Sequence, residues 1–257
     1  CGISGWIFEN QQRAGACAPE LEAYIKASLE AIAHRGPDSE GVALISCGAI
    51  GARRLAIIDI EGGAQPIRNE ESSVVAVLNG EIYNFLELRR LLEASGHRFV
   101  TRTDTEVLVH GYEEWGTRLP EHLEGMFACA VWDERDKVLL AARDRLGKKP
   151  FFYTTLAGGL RFASELKALL SDGAVRPRPD LRSISISLTL QHIPPPFTAL
   201  EGISQLRGGE VLLYREGRVS TRAYWSLVDV AAAGAASPEF EATPAAALER
   251  IESAATA

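Results

Sequence analysis

"MFACAVWDERDKVLLAARDRLGKKPFFYTTLAGGLRFAS", residues 126–164, holds four apolar runs, "MFACAVWD", "KVLLAAR", "PFFYTT" and "LRFAS", divided by short polar or Gly-containing stretches. Runs of this kind read as strands, and none of the connections is long enough for the helical crossover that parallel pairing requires. The four are expected to be antiparallel neighbours. Upstream, "VALIS", "RLAIID" and "VVAVLNG" repeat the same strand texture. Helices interrupt them. In "PELEAYIKASLEAIAHRGPD", Leu21, Tyr24, Ile25, Leu29 and Ile32 fall at helical spacing and Gly36-Pro37 ends the helix. A second helix runs from about Phe85 to Ser95 and closes at Gly96, and a third follows "TDTE", where Thr103 and Glu106 have capping-box spacing. The expectation is an α+β fold with an antiparallel sheet covered by helices.

After about Asp172 the texture shifts to "RPRPDL", "IPPPF" and an Ala-rich end, with "EVLLYREGRVSTRAYW" reading as a hairpin that turns at Glu216-Gly217. This predicts one domain over residues 1–173, an extension over 174–230 and an Ala-rich tail over 231–257. Apolar residues make up 46% and charged residues 24% of the 257, the balance of a soluble globular chain, and no apolar run is long enough to span a membrane. A net charge of −7 argues against a nucleic-acid partner. Cys1, Cys17, Cys47 and Cys129 form no C-x-x-C pair, and no secretory signal is present, so a reducing cytoplasm is the expected setting. Cys17, Cys47 and Cys129 read as small buried hydrophobes. His34, His97, His110, His122 and His192 are scattered, with no two at ligand spacing on one helix. None is assigned to catalysis, and no metal is expected.

Residue 1 carries a thiol and an α-amine on one carbon, where a translated chain has methionine. "LNGEIYN" ends an apolar strand abruptly, and Asn79-Gly80 offers a side-chain amide beside an unhindered backbone N–H, the two donors of an oxyanion hole. Arg54 heads the apolar "RLAIID" and Asp104 precedes a helix; together a guanidinium and a carboxylate can hold the two charged ends of an amino acid. Each feature alone also has an ordinary reading: a trimmed terminus, an Asn-Gly turn, a solvated charge.

Taken in order, however, "CGISG", "HRGPDSEG", "RRLAIID", "GGAQPI", "LNGEIYNF", "TDTEVLVHGYEEWG", "LEGMFACAVWD", "ARDRLGKKPFFY" and "FASELKALL" resemble the glutaminase domain of asparagine synthetase, a class II glutamine amidotransferase. The likeness covers residues 1–170 almost without a gap, and "IPPPFTALEGISQLRGGEVLLY" carries it onward. The resemblance implies an N-terminal nucleophile (Ntn) hydrolase fold, a four-layer αββα sandwich of two antiparallel sheets. It implies Cys1 as nucleophile with its own α-amine as general base, Asn79 and Gly80 as oxyanion hole, and Arg54 on the glutamine carboxylate. The backbone of Leu55, Ala56, Ile57 and Ile58 would line the substrate, and Glu81 and Asp104 would hold its ammonium. Arg53 reads as a neighbouring solvated charge, His34 as a structural residue behind the site, and "ARDRLGKKP" as a packed turn rather than a phosphate loop.

The same resemblance implies L-glutamine as substrate and a synthetase domain or subunit as receiver of ammonia, and leaves a homodimer open. The S-G-G-x-D-S pyrophosphate loop of the synthetase half does not occur in these residues, so ATP and Mg are expected only for that other half and no cofactor for this chain. The alternatives are a glutaminase module serving another carboxylate acceptor, and a glutamine-binding module without turnover.

Overall fold

The computed structural model describes residues 1–156 and 158–235, with side chains through residue 232. Much of the Ala-rich tail therefore lies outside the described residues. Twelve strands occur among them: β1 (Gly2–Ile7), β2 (Ser39–Ile45), β3 (Gly48–Arg54), β4 (Ile67–Arg68), β5 (Val74–Ile82), β6 (Gly125–Asp133), β7 (Val138–Arg143), β8 (Phe152–Thr154), β9 (Leu160–Ala163), β10 (Ser204–Gln205), β11 (Glu210–Arg215) and β12 (Arg218–Ala223). The helices are α1 (Gln11–Ala16), α2 (Ala18–Ala31), α3 (Phe85–Ala94), α4 (Glu106–Trp115), α5 (Leu119–His122), α6 (Leu166–Leu169), α7 (Leu181–Leu190) and α8 (Leu227–Ala235).

The strands form two six-stranded sheets, ordered β10-β8-β9-β1-β3-β2 and β12-β11-β7-β6-β5-β4, and every pairing is antiparallel. Period-two alternation sorts their side chains into two faces. Ile3, Ile7 and Ile50 of the first sheet meet Val75, Val77, Ala130 and Trp132 of the second in one buried cluster between the sheets. The opposite face of the first sheet packs Trp6, Ala49 and Ala163 against Tyr24, Ile25 and Leu29 of α2 and Leu169 of α6. The opposite face of the second sets Leu78, Phe127 and Cys129 against Leu88 of α3 and Val107 of α4. That is the αββα layering.

Three local expectations change. β6 pairs with β7 and β8 with β9, but β7 and β8 lie in different sheets. The chain crosses between them through a turn held from inside. Asp144, 1% exposed, accepts the N–H groups of Phe127, Leu146, Lys148 and Lys149, and Arg143 donates to the carbonyls of Gly147, Lys149 and Leu206. "RLAIID" is not a strand: β3 ends at Arg54, and the next residues bend around that side chain. Nor does the Thr103–Glu106 capping box form, because α4 starts at Glu106 after Thr105. Fully buried Glu106 instead accepts the N–H groups of Val100 and Thr101 and the Thr101 hydroxyl.

The break expected near residue 173 falls inside a compact unit spanning Cys1–Tyr224. Backbone pairing explains this: β10 adds to β8, and β11 to β7. The hairpin itself turns at Glu216-Gly217 as its sequence predicts, with φ of 50° and 79°. The second unit, Trp225–Ala257, contributes α8 to the described residues.

Candidate active site

Interior strands of both sheets deliver the candidate residues to one cleft. Cys1 precedes β1, which is flanked by β3 and β9. Arg54 ends β3, and Ser164 follows β9, locked to β1 by Ser164 N–H to the Ile3 carbonyl and Ile3 N–H to Ser164 Oγ, each 2.9 Å. β5 of the other sheet supplies Asn79, Gly80 and Glu81, and the loop before α4 supplies Asp104. The cleft encloses about 120 Å³. Cys1, Asn79, Gly80, Glu81 and Asp104 line it, as do Arg54, Leu55, Ile57 and Ile58. Ala56 does not; its N–H is spent on Asp38 Oδ2 at 2.8 Å. Gln65, Thr103, Thr105, Met126 and Lys149 also line the cleft and carried no signal in the sequence as site residues.

The thiol of Cys1 lies against the Leu55 backbone, with Sγ 3.4 Å from Leu55 N and 3.6 Å from Leu55 O. Its carbonyl accepts Arg35 Nε–H at 3.0 Å, and Arg35 in turn pairs with Glu165 at 3.0 Å. His34 reaches the same carboxylate at 2.8 Å, and so is linked to Cys1 through Glu165 and Arg35. Burial, aided by the positive charges of Arg35 and Lys149 and opposed by Asp38, lowers the α-amine from its usual 8.0 to about 6. At neutral pH the amine is mostly unprotonated, the form that can accept a thiol proton.

β5 leaves one N–H unclaimed. Phe127, opposite Gly80, directs both its N–H and its carbonyl to Asp144, so Gly80 points its own polar groups away from β6. The N–H groups of Leu78 and Ile82 point the same way and are taken by Gln65 Oε1 at 2.7 Å and Asp104 Oδ2 at 2.9 Å. Gly80 N–H lies between them and faces the cleft. Beside it Asn79, 1% exposed, donates from Nδ2 to Ser164 Oγ at 3.4 Å, a long bond that orients the amide.

The two charged ends of the cleft differ in freedom. Arg54, 6% exposed, spends three N–H groups on the carbonyls of Ile58, Asp59 and Ile60 at 2.6–3.0 Å, so it shapes the loop as well as lining the cleft. Arg53 points elsewhere, to the Leu29 carbonyl and to Glu30 and Glu40. Burial raises the Asp104 carboxyl, with nearby Glu81 adding to the shift and hydrogen bonds from Ile82 and Thr103 opposing it. A cationic partner would stabilise the charged form there. Arg54 and Lys149 against Glu81 and Asp104 give the lining both signs of charge, which complements a zwitterion.

The glutamine amidotransferase domain family matches residues 1–225. The chain belongs to that family. Two asparagine synthetases (glutamine-hydrolysing) of Bacillus subtilis, numbers 3 and 1, are 37% and 36% identical to it, over 230 and 229 residues. Each alignment covers 88% of this chain but only 37% and 35% of the relative, so the chain spans little more than a third of these proteins. The solved structure of glutamine phosphoribosylpyrophosphate amidotransferase from B. subtilis shares the fold, with a TM-score of 0.61 at 19% identity, over 88% of this chain and 49% of that one. The αββα fold shared with that amidotransferase and membership of the glutamine amidotransferase family are therefore established. No helix among the described residues is long and apolar enough to cross a membrane.

Proposed function

We propose that this domain hydrolyses L-glutamine to glutamate and ammonia through a Cys1 thioester, and that the ammonia serves an ATP-dependent synthetase module making asparagine from aspartate in the cytoplasm. The observation that carries the reading is one cleft lined by Cys1, which holds thiol and α-amine together, and by Gly80 with its unclaimed N–H. The neutral amine takes the thiol proton, and Sγ attacks the glutamine carboxamide carbon. Negative charge develops on the carboxamide oxygen, where Asn79 Nδ2–H and Gly80 N–H donate to it. The protonated amine then delivers its proton to the leaving nitrogen, and ammonia departs. Water attacks the thioester by the same route, releasing glutamate and free Cys1. Arg54 and Lys149 face the α-carboxylate, and Glu81 and Asp104 the ammonium. This scheme requires Cys1 to be amino-terminal in the working enzyme.

Glutamate release and ATP-dependent amide formation, measured together on the purified chain, test the proposal. Glutamate and ammonia are expected without asparagine, because no adenylation loop occurs in these residues; a chain that binds glutamine without releasing glutamate would refute the catalytic reading, and asparagine made by this chain alone would refute the division of labour. The pH profile is a second check. Below about pH 6 the amine is protonated and cannot act as base, so kcat/KM should fall on the acid side with a midpoint near 6. Arg35→Gln removes a positive charge that disfavours the ammonium, so the midpoint should move to higher pH. An unmoved midpoint would detach Arg35 from the base.

A further inference from the structure

We propose that His97, His110 and Glu113 bind one divalent transition-metal ion of the zinc class, where the loop after α3 meets α4 and apart from the glutamine cleft. Their ligand atoms lie within 4.8 Å of one another. Glu113 Oε2 is 3.6 Å from His110 Nδ1 and 3.8 Å from His97 Nδ1. Ligands about 2.0–2.1 Å from a tetrahedral ion stand about 3.3 Å apart, so Glu113 meets each imidazole after a shift of a few tenths of an ångström, while the widest pair of the set, up to 4.8 Å apart, must close by about 1.5 Å on binding.

His110 is the observation that points to an ion. It is 1% exposed, and neither ring nitrogen has a hydrogen-bond partner. A buried imidazole with both nitrogens unsatisfied is costly. An ion at Nδ1 gives that nitrogen a partner and fixes the proton on Nε2, on the side of Glu106 Oε1 3.6 Å away. His97 repeats the arrangement: Nδ1 faces Glu113, and Nε2 faces Glu114 Oε2 at 3.6 Å. An imidazole with one nitrogen toward the ion and the other toward a carboxylate is the usual arrangement at zinc sites. Glu113 is supported too, accepting Asn69 Nδ2–H at 2.7 Å on its other oxygen.

The local charge agrees. Glu70, Glu106, Glu113 and Glu114 approach the two imidazoles, whereas Arg135, 3.9 Å from Glu113, is more than half exposed and also paired with Glu71. Glu70 Oε2, 3.7 Å from His110 Nδ1, can take the fourth position or leave it to water. Two imidazoles and a carboxylate suit zinc better than the all-oxygen shells of magnesium or calcium. The sequence hides this set because His97 follows α3 while His110 and Glu113 lie one turn apart on α4. The ion would tie the loop after α3 to the helix that begins two residues after Asp104.

The test uses the whole chain, freed of metal with a chelator and titrated with Zn²⁺ against a chromogenic competitor, with Tm followed in parallel. Cys1 can chelate through its thiol and amine, so the titration is run on Cys1→Ala as well. One equivalent should bind in both forms and raise Tm. In His97→Ala and Glu113→Gln, both partly exposed, affinity should fall by at least the roughly 10- to 100-fold that loss of a supporting partner costs, and the metal-free Tm should change little. With Co²⁺ the spectrum should lack a sulfur-to-metal charge-transfer band. Binding that vanishes with Cys1→Ala, or that survives unchanged in Glu113→Gln, would overturn the assignment.

Discussion

Cys1→Ala, or one extra residue ahead of Cys1, should reduce glutamine hydrolysis by on the order of 10⁴-fold or more while leaving Tm within a few degrees of the parent. In the proposed mechanism nucleophile and base reside on one residue, so losing the thiol and burying the amine in a peptide bond remove parts of the same unit. Effects of such units do not add, and combining the two changes should cost little beyond either alone. The fold has little reason to suffer, since Cys1 precedes β1 and its thiol has only long contacts with the Leu55 backbone. Glutamate release at near-parental rate by an extended chain, with its intact mass verified, would exclude the α-amine as base.

The layers of this fold were legible wherever the local pattern also decided the tertiary environment. Leu21, Tyr24, Ile25 and Leu29 announce one buried helix face, and the structure buries all four. The hairpin turn at Glu216-Gly217 was also legible from Gly217 between two strand-like runs, although the positive φ at Glu216 was not, since Glu rarely adopts it. What the pattern could not show was the change of sheet after Arg143. Strand character in "KVLLAAR" and "PFFYTT" is local, but their separation depends on Asp144 and Arg143 saturating a turn from within, and those side chains look like any charged pair in a loop. The Thr103–Glu106 spacing misled for a similar reason: the carboxylate found partners upstream, at Val100 and Thr101, instead of at the start of the helix.

The site divides along the same line. Cys1, Arg54, Asn79, Gly80 and Asp104 stand in recognisable words of the sequence and meet in one cleft. Gln65, Ser164 and Arg35 act by orientation, through bonds to Leu78, Asn79 and Cys1 across long stretches of chain, and no spacing rule reports such contacts. The role of Arg54 in holding the loop after β3 was likewise invisible, because its partners are backbone carbonyls that any sequence supplies.

Asn79→Ala and Gly80→Ala should fail in different ways although the residues are neighbours. On the proposed mechanism Asn79→Ala removes a donor to charge that exists only in the transition state, so kcat should fall about 10²- to 10³-fold with KM nearly unchanged. Its structural cost should be small, because the one hydrogen bond lost with Ser164 is long at 3.4 Å. Gly80→Ala keeps the backbone N–H but places a Cβ 2.0 Å from the Met126 carbonyl oxygen and 2.7 Å from Phe127 Cα, at a φ of +142° that alanine rarely adopts. β5 and β6 cannot both keep their register there. Backbone strain alone costs about 1–3 kcal/mol, and the clash adds to it. A loss of about 3 kcal/mol corresponds to roughly 6–12 °C in Tm for a chain of this size. Thermal melts beside steady-state kinetics on both variants separate the two effects. A stable Gly80→Ala protein would show that β5 can shift away from β6, and an Asn79→Ala enzyme with parental kcat would remove the Asn79 amide from the oxyanion hole.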